Sequence, residues 1–268
     1  MTVLHVLGSG SRGNCLAVSA GGATLLVDAG FSAREVERRA ESAGLALDTL
    51  VGIVLTHEHG DHATGGASLA RRFGVPVLTA EGTWRALGRR GARIEHRRLG
   101  LCASAEAGPF SVHACPTSHD AAEPLAVVVE APAGVRIGVA YDLGRPTTAV
   151  RYLLRDLTAV VLEANHDEVR LRTCGYPPSV QARIAGSGGH LSNRAAAELL
   201  GEICHPGLAL VVLAHLSERS NAAEDAISTV RPALDRARFS GALHVALQDE
   251  PLAPFPIRAQ GRQLAMEL

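Results

Sequence analysis

The sequence predicts an α/β protein built as a four-layer α/β/β/α sandwich, with helices on the outer faces of two sheets. Two patterns favour this class. Short runs rich in β-branched and aliphatic residues alternate with runs of helical periodicity along the chain. The first half contains closely spaced, hairpin-like strands, whereas the second half repeats strand, helix, strand, helix. No interruption is deep enough to separate two domains, so we expect residues 1–268 to form one domain.

The predicted elements follow from local patterns. Aliphatic runs that end at polar or glycine-containing turns indicate strands, and apolar residues spaced by three or four indicate helices. The predicted strands span residues 3–7, 15–19, 24–28, 52–56, 76–79, 125–130, 136–141, 159–164, 209–214 and 243–247. The predicted helices span residues 32–43, 64–73, 81–90, 145–156, 179–185, 193–204 and 221–238.

The composition excludes several classes of protein. The chain has 268 residues, of which 47% are apolar and 20% are charged, so it can bury a core and is neither disordered nor fibrous. Its formal net charge is −1. A globally basic nucleic-acid-binding protein is therefore excluded, whereas a local basic patch is not.

The cysteines and the N-terminus indicate a cytoplasmic protein. The five cysteines are odd in number and form no CxxC pair, which disfavours a disulfide scaffold and a zinc ribbon. The first seven residues lack a basic segment and lead into Gly8, as expected for a first strand rather than a signal peptide. No apolar run reaches the ~18 residues of a membrane span, so no membrane association is expected.

A dense set of metal-ligand side chains follows the apolar run 53–55. His57 and His59 alternate along the chain, and Asp61 and His62 come directly after them. A strand that ends in a tight turn brings such side chains to one point at the edge of a sheet. Three imidazoles and a carboxylate are a suitable ligand set for zinc-like ions. The alternative is a solvated polar loop, which is disfavoured because unpaired buried histidines and acids are costly.

The HxHxDH run after an apolar strand resembles the signature of the metallo-β-lactamase family, and later motifs recur in the order of that family. His119 lies 57 residues after His62, within a Thr-Ser-His-Asp segment. Asp142 and His215 each directly follow a predicted strand. Upstream, Asp28 lies in a Leu-Val-Asp-Ala-Gly segment that resembles the family's supporting aspartate, which orients the ligand loop. The resemblance covers essentially the whole chain.

This resemblance implies a site for two divalent metal ions, with zinc as the expected metal and manganese or iron as alternatives. A two-metal site ~3.5–4 Å wide clamps an attacking hydroxide and stabilises a leaving oxygen. The implied ligands are His57, His59 and His119 for one ion, Asp61, His62 and His215 for the other, and Asp142 as the bridge between them.

Three further segments resemble the WalJ/YycJ-like group of bacterial hydrolases, which is related to tRNase Z and RNase J. They are the glycine-rich turn 8–15, the segment around Glu163, and the segments that carry His190 and His215. The resemblance implies a metal-dependent phosphodiesterase or nuclease acting on DNA or RNA, with 5′→3′ DNA exonuclease activity as the specific expectation. In the implied mechanism a metal-bridging hydroxide oriented by Asp61 attacks phosphorus. His190, supported by Glu163, protonates the leaving oxygen.

Several polar residues are secondary candidates with two interpretations each. His190 could instead cap a loop, and His166 could share the role of His190 or bond its own loop. Ser192 could mark an anion site at a helix N-terminus or an ordinary N-cap. The glycine-rich turn could offer backbone N–H groups to a phosphate or be a plain hairpin. The substrate-side candidates are Ser11, Arg12, Asn14, His166, Ser192, Asn193 and Asn221.

Residues 85–98 form the one dense basic segment. It holds six arginines and His96, with Trp84 as its neighbouring aromatic residue. The segment could follow a nucleic-acid backbone beside the metals or form a solvated helix face. Because aromatic residues are sparse, stacking on single-stranded bases is poorly supported.

Two other functions stay open on the sequence alone. A small-molecule hydrolase of cyclic phosphates, lactones or thioesters would suit the near-neutral charge and the absence of a long inserted clamp. A non-catalytic, metal-bound adaptor is the second alternative, which the complete ligand set and His190 disfavour. No obligate protein partner is indicated.

Overall fold

The computed structural model describes residues 1–101 and 103–259. The strands are β1 (Thr2–Gly8), β2 (Cys15–Ala20), β3 (Ala23–Val27), β4 (Leu50–Val54), β5 (Val77–Thr79), β6 (His96–Arg98), β7 (Ser104–Ala107), β8 (Phe110–Pro116), β9 (Leu125–Ala131), β10 (Val135–Ala140), β11 (Ala159–Glu163), β12 (Leu210–Ala214), β13 (Ala242–Val245) and β14 (Phe255–Ile257). The α-helices are α1 (Ala33–Ser42), α2 (Gly60–Ala63), α3 (Gly66–Phe73), α4 (Glu81–Leu87), α5 (Thr148–Leu153), α6 (Glu168–Thr173), α7 (Pro178–Ala185), α8 (Asn193–Ile203) and α9 (Ala223–Arg236).

The strands form two seven-stranded sheets, in the orders β14-β1-β2-β3-β4-β5-β6 and β13-β12-β11-β10-β9-β8-β7. Side chains alternate between the two faces of each strand. In β9, Val127 and Val129 enter the core between the sheets, whereas Ala126 and Val128 face the outer helices. Helices α1 and α3 pack on the outer face of the first sheet, and α5, α8 and α9 pack on that of the second. The predicted α/β/β/α layers are therefore confirmed.

Parallel pairing brings several strand ends to the same edge of the sandwich. In the second sheet β10, β11 and β12 are parallel neighbours, and Asp142, Glu163 and His215 lie at or just beyond their carboxyl ends. In the first sheet β3 and β4 are parallel, and Asp28 and His57 follow them. Residues far apart in the sequence thereby converge at one edge, where ligands commonly bind in open sheets.

Most predicted elements are present, and the differences are local. The predicted helix 64–73 is α3, which begins two residues later at Gly66. The predicted helix 145–156 is shorter and spans the six residues of α5. The sequence analysis missed the helices α2 and α6 and four strands, β6, β7, β8 and β14. Among the missed strands, β8 leads directly towards His119 and so helps to position a predicted ligand.

The structure also bears on the cysteines and on membrane insertion. Cys15, Cys115, Cys174 and Cys204 form no disulfide, and Cys102 lies outside the described residues. Among the described helices, none is both long enough and apolar enough to span a membrane.

Candidate metal centre

The seven ligands predicted from the sequence lie together at one edge of the sandwich. Two groups of three have donor atoms within 4.8 Å of one another, namely His57, His59 and His119, and Asp61, His62 and His215. Asp142 lies against both groups. Its Oδ2 atom is 3.0 Å from His62 Nε2 and 3.6 Å from His57 Nε2, and its Oδ1 atom is 3.7 Å from His119 Nε2. This carboxylate is therefore placed to be shared by two cations.

The imidazole rings are held so that one nitrogen of each faces the centre. His62 Nδ1 lies 2.8 Å from Asp28 Oδ2, and His119 Nδ1 lies 3.0 Å from the carbonyl oxygen of Gly189. In both rings Nε2 faces the centre, where His62 Nε2 lies 3.1 Å from the Asn14 side-chain amide and 3.0 Å from Asp142 Oδ2. Metal-ligating histidines characteristically bond their second nitrogen to a carboxylate or carbonyl in this way.

Two buried polar atoms at the centre lack a hydrogen-bond partner among the described residues. They are His57 Nε2 and Asp142 Oδ2, which lies 3.0 Å from His62 Nε2 but outside the angles of a hydrogen bond. Because both side chains are nearly inaccessible to solvent, such atoms are costly unless a ligand engages them. A divalent cation would bind both atoms at once. The donor set therefore fits metal ions, and its mixture of imidazoles and carboxylates is typical of zinc and similar ions.

Asp28 organises the ligand loop from beneath. It is completely buried, and its Oδ1 accepts a hydrogen bond from the backbone N–H of Thr56 at 2.8 Å. The Thr56 hydroxyl and His62 Nδ1 approach its Oδ2 at 2.9 Å and 2.8 Å. This one carboxylate thus fixes both the strand end that precedes His57 and the orientation of His62.

Glu163 connects the metal donors to His190. Its side chain is fully buried, and its Oε1 lies 2.8 Å from His190 Nδ1 and 3.0 Å from His215 Nδ1. Its Oε2 accepts hydrogen bonds from the backbone N–H groups of Leu143 and Leu191. All of these contacts favour a charged carboxylate. Burial alone would raise the pKa of Glu163, but His190 lowers it to about 2.

His190 is the most accessible of the imidazoles that contact Asp142 or Glu163, with 23% of its side chain exposed. Its Nδ1 also lies 3.0 Å from Asp142 Oδ1. Burial alone would lower the pKa of His190, but Glu163 and Asp142 raise it to about 10. A protonated imidazole beside a reaction centre can donate a proton to a departing oxygen. The pairing of His190 with Glu163 that the resemblance implies is present in the structure.

The charged groups of the centre shift one another's pKa values. Burial alone would lower the pKa of His62, but Asp28 and Asp142 raise it well above its ordinary value. Burial and the neighbouring His62 lower the pKa of His57. Burial alone would raise the pKa of Asp142, but His215 and His62 lower it. The carboxylates thus favour positive charge at the centre, where protons and metal ions compete for the same atoms.

Three site residues adopt left-handed backbone conformations immediately after strands. The φ angles are 59° for Asp28, 51° for Asp142 and 56° for His215. Non-glycine residues rarely adopt this conformation, and such strain is common at functional sites. The sharp change of direction lets each strand end turn its side chain towards the shared edge.

Gly30 allows the ligand helix α2 to approach the preceding loop. A Cβ atom at this position would lie 1.7 Å from the carbonyl oxygen of Asp61. We expect Gly30→Ala to displace α2, lower the free energy of unfolding by about 3 kcal/mol, and reduce the bound metal. Thermal unfolding and metal analysis by mass spectrometry would measure both effects.

Gly201→Ala is the matched control, because a Cβ there meets nothing within 4 Å and the residue lies inside α8. It should stabilise the protein by about 0.5–1 kcal/mol. A Gly30→Ala protein with unchanged stability and metal content would contradict the close approach.

We expect Asp28→Asn to weaken metal binding by about 10–100-fold, the usual cost of changing a residue that orients a ligand. The amide keeps the shape but lacks the negative charge that holds His62 in position. Competition with a chromophoric chelator would measure the affinity. Asp48→Asn, at an exposed aspartate in a 3-10 helix, is the control. Equal affinities in the two variants would show that Asp28 does not orient the site.

The glycine-rich turn after β1 is held by side chains within the protein. Asn14 is buried, and its Oδ1 accepts hydrogen bonds from the Ser9 hydroxyl and the Gly10 N–H group. The Arg12 guanidinium forms salt bridges with Glu218 at 2.8 Å and Asp249 at 2.9 Å. Its charge is therefore already neutralised, which argues against a phosphate contact by Arg12. Ser11, in contrast, lines the cleft over the metal donors.

The remaining substrate-side candidates hold the loops around His190. The Ser192 hydroxyl accepts a hydrogen bond from the N–H of Ala195, so the interpretation as an ordinary N-cap of α8 is confirmed. The side-chain amides of Asn193 and Asn221 donate to each other at 2.9 Å, and both are buried. His166 lies on the wall of a neighbouring pocket.

The sequence profile of the metallo-beta-lactamase superfamily matches residues 8–161, which is more than half of the chain. The chain belongs to the metallo-beta-lactamase superfamily. The matched segment contains six of the predicted metal ligands, whereas Glu163, His190 and His215 lie beyond it. The match therefore covers most of the first sheet and part of the second, and the His190–Glu163 pair comes from the remainder.

This superfamily member is similar to two curated bacterial proteins. Exodeoxyribonuclease YycJ of Bacillus anthracis is 33% identical over 237 residues, which cover 87% of this chain and 89% of YycJ. Exodeoxyribonuclease WalJ of Streptococcus pneumoniae is 29% identical over 233 residues, which cover 84% of this chain and 85% of WalJ. The predicted resemblance to the WalJ/YycJ-like group is confirmed, and the chain is a hydrolase of the metallo-beta-lactamase superfamily.

A solved structure has the same fold as this chain. The metallo-beta-lactamase fold protein YhfI from Bacillus subtilis superimposes with a TM-score of 0.67 at 16% sequence identity. The superposition covers 94% of this chain and 99% of YhfI. At this level of identity the likeness concerns the fold alone.

Two residues of the metallo-beta-lactamase superfamily cleft were missed from the sequence. The cleft has a volume of about 240 Å³, and Asn165 and Arg183 line it together with the metal donors. Asn165 donates a hydrogen bond to the carbonyl oxygen of His215, and Arg183 forms a salt bridge with Asp120 at 2.7 Å. Asn165 could have been noticed because it follows β11 two residues after Glu163. Nothing in the local sequence marks Arg183.

The basic segment 85–98 is partly neutralised by neighbouring acids. Arg85 forms a salt bridge with Glu81, and Arg97 forms one with Glu95. The Trp84 ring stacks on His96 within the protein, with centroids 4.4 Å apart. These internal contacts favour the interpretation as a solvated surface over a segment that follows a nucleic-acid backbone.

Proposed function

We propose that this hydrolase cleaves phosphodiester bonds of nucleic acid, with 5′→3′ DNA exonuclease activity as its specific reaction. Its similarity to two proteins named exodeoxyribonucleases, along most of each chain, supports the proposal. The observation that carries it is the His190–Glu163 pair beside the metal donors. A proton donor matters most when the leaving group is an alkoxide, such as a sugar oxygen, and less when it is a thiolate.

We propose two zinc ions as the cofactor, because imidazoles predominate in the donor set. When bound, two divalent ions stabilise charge on the phosphate oxygens and supply a nucleophile at neutral pH. The residues that would hold them are His57, His59 and His119 for one ion, Asp61, His62 and His215 for the other, and Asp142 for both.

The side chains of the protein then have defined tasks. Asp61 is 26% exposed at the cleft and orients the attacking water, whose oxygen forms the new bond to phosphorus and whose proton passes to solvent. The bond between phosphorus and the leaving sugar oxygen breaks, and His190 donates a proton to that oxygen. Glu163 keeps His190 protonated before the transfer. The proton taken from water returns to His190 through solvent, so the cycle closes.

Hydrolysis of a simple diester tests the proposal. The purified protein should hydrolyse bis-p-nitrophenyl phosphate only with added zinc or manganese, and DNA labelled at its 5′ end should release labelled mononucleotide first. Asp61→Ala should lower turnover by about 10³-fold or more, whereas Asp48→Asn should leave it unchanged. On DNA, the affinity should fall steeply as salt rises.

A protein that binds its metals but hydrolyses no diester would refute the proposal. Hydrolysis of a lactone or thioester by that protein would then assign it to small-molecule substrates. The cleft has a volume of only about 240 Å³, which is compatible with such small substrates.

A further inference from the structure

A second pocket adjoins the metal cleft on the side of His190. It has a volume of about 510 Å³ and lies between α6, α7 and the start of α8. His190 lines both this pocket and the cleft over the metal donors. The proton donor of the proposed reaction therefore stands at the junction of the two spaces.

The pocket is open because the side chains of α7 do not pack into the core. None of the eight residues of α7 is buried, so its side chains do not fill the space beneath it. Leu171, Pro178 and Ala182 contribute apolar walls, and Gln181 and Arg172 contribute polar groups. Such a mixture of apolar surface and a few polar groups is typical of a pocket for a small organic ligand, and the volume lies within the usual ~300–1,000 Å³.

His166 is a buried polar group on the pocket wall that the metal site does not use. The residue is 2% exposed, and its Nδ1 has no hydrogen-bond partner among the described residues. Its backbone, in contrast, is held firmly, since its carbonyl oxygen accepts from Asn193 N–H at 2.9 Å and it forms a β-bridge with Ser192. No side-chain hydrogen bond among the described residues holds its ring, so the imidazole can turn a nitrogen towards a ligand in the pocket that it lines.

Arg172 provides the charge of the pocket. Within the part of the chain that the structure describes, it forms no salt bridge, whereas Arg170 is paired with Asp225 and Arg194 with Glu168. Arg172 is exposed, so an anionic group at the mouth of the pocket can reach it.

We propose that this pocket receives the nucleoside that leaves when the phosphodiester is cleaved. The base lies against Leu171, Pro178 and Ala182, His166 forms a hydrogen bond to the nucleoside, and Arg172 contacts its outer phosphate. The inference rests on the proposed function, because His190 must protonate the oxygen of whatever group occupies the pocket beside it. The protein would then recognise the leaving side of the scissile bond.

Filling the pocket tests the assignment. Ala182 is exposed on α7 and lines the pocket, so Ala182→Phe adds a ring there without entering the core. Ser179→Phe is the matched control, because Ser179 is exposed on the same helix and does not line the pocket. His166→Gln removes the imidazole and keeps a polar side chain.

Two substrates distinguish recognition of the leaving nucleoside from recognition of the retained one. The dinucleotide pTpT carries a nucleoside on both sides, whereas thymidine 5′-(p-nitrophenyl phosphate) carries one only on the side that is retained. Ala182→Phe and His166→Gln should lower kcat/KM for pTpT by about tenfold or more and leave the second substrate within about twofold. An equal loss on both substrates, or a loss on neither, would overturn the assignment.

A binding measurement tests the pocket independently of turnover. Thymidine 5′-monophosphate should shift the imidazole ¹⁵N signals of His166 in the metal-loaded protein. The affinity should fall by about tenfold in Ala182→Phe and stay unchanged in Ser179→Phe. Equal affinity in the two variants would overturn the assignment. If the nucleotide binds as expected but no diester is hydrolysed, the proposed function fails and the pocket remains a nucleotide-binding site without the leaving-group role.

Discussion

Replacing Asp142 with alanine should abolish hydrolysis. The carboxylate lies within 3.7 Å of nitrogens of five histidines, so no other residue of the centre contacts as many of the donors. Without it, the two ions of the proposed site would lose a shared ligand, and the imidazoles would lose a neutralising charge. We expect bound metal to fall from two ions to one or none per chain, and turnover to fall by about 10³-fold or more, equivalent to about 4 kcal/mol of transition-state stabilisation.

Asp156→Ala is the control for the backbone, because Asp156 has a φ of 54°, close to the 51° of Asp142, and is exposed. Any cost of placing alanine in the left-handed conformation appears in both variants. Metal analysis and turnover of bis-p-nitrophenyl phosphate, measured side by side, separate that cost from the loss of a ligand. An Asp142→Ala protein that keeps two ions and most of its activity would show that Asp142 does not bridge them.

The sequence was most informative where ligands are local or follow clear strands. His57 to His62 form one motif, and its chemistry can be seen within six residues. Asp142 and His215 are distant, but each follows an aliphatic run that was predicted as a strand. The family resemblance assigned both residues to one site, and the parallel pairing of β10, β11 and β12 in the structure explains why they meet at one edge.

Contacts between distant surface segments could not be predicted. The two carboxylates that pair with Arg12 lie 206 and 237 residues away in the sequence. The glycine-rich turn made Arg12 a candidate for phosphate binding. Only the packing of two other loops shows that its guanidinium forms salt bridges within the protein. Likewise, the pocket beside His166 depends on how far α7 stands from the core. The periodicity of the sequence does not indicate how far a helix lies from the core.

The strands that were not predicted have weaker sequence patterns. In β8 the apolar residues alternate with Ser111 and His113, and Pro116 ends the strand. This alternation is typical of a strand with one solvated face. The strand is nevertheless absent from those predicted from the sequence. The loop that carries His119 was therefore placed by the family resemblance and not by its own secondary structure.

Glu163→Gln should lower turnover strongly on substrates with poor leaving groups. Both oxygens of Glu163 accept hydrogen bonds, Oε1 from the imidazoles of His190 and His215 and Oε2 from two backbone N–H groups. A glutamine amide must direct its NH₂ group at one of these two sets of donors, which leaves buried donors unsatisfied and costs about 1–3 kcal/mol. His190 also loses the charge that keeps it protonated.

The leaving group distinguishes this positioning role from simple destabilisation. A sugar oxygen needs a proton to depart, whereas p-nitrophenolate departs without one. We therefore expect Glu163→Gln and His190→Gln to reduce kcat on pTpT by about 10²–10⁴-fold, and to affect bis-p-nitrophenyl phosphate much less. Glu202→Gln, at a surface residue paired with Arg151, is the control. Equal losses on both substrates would mean that Glu163 supports the metal ligand His215 alone, and that the proton reaches the leaving oxygen from elsewhere.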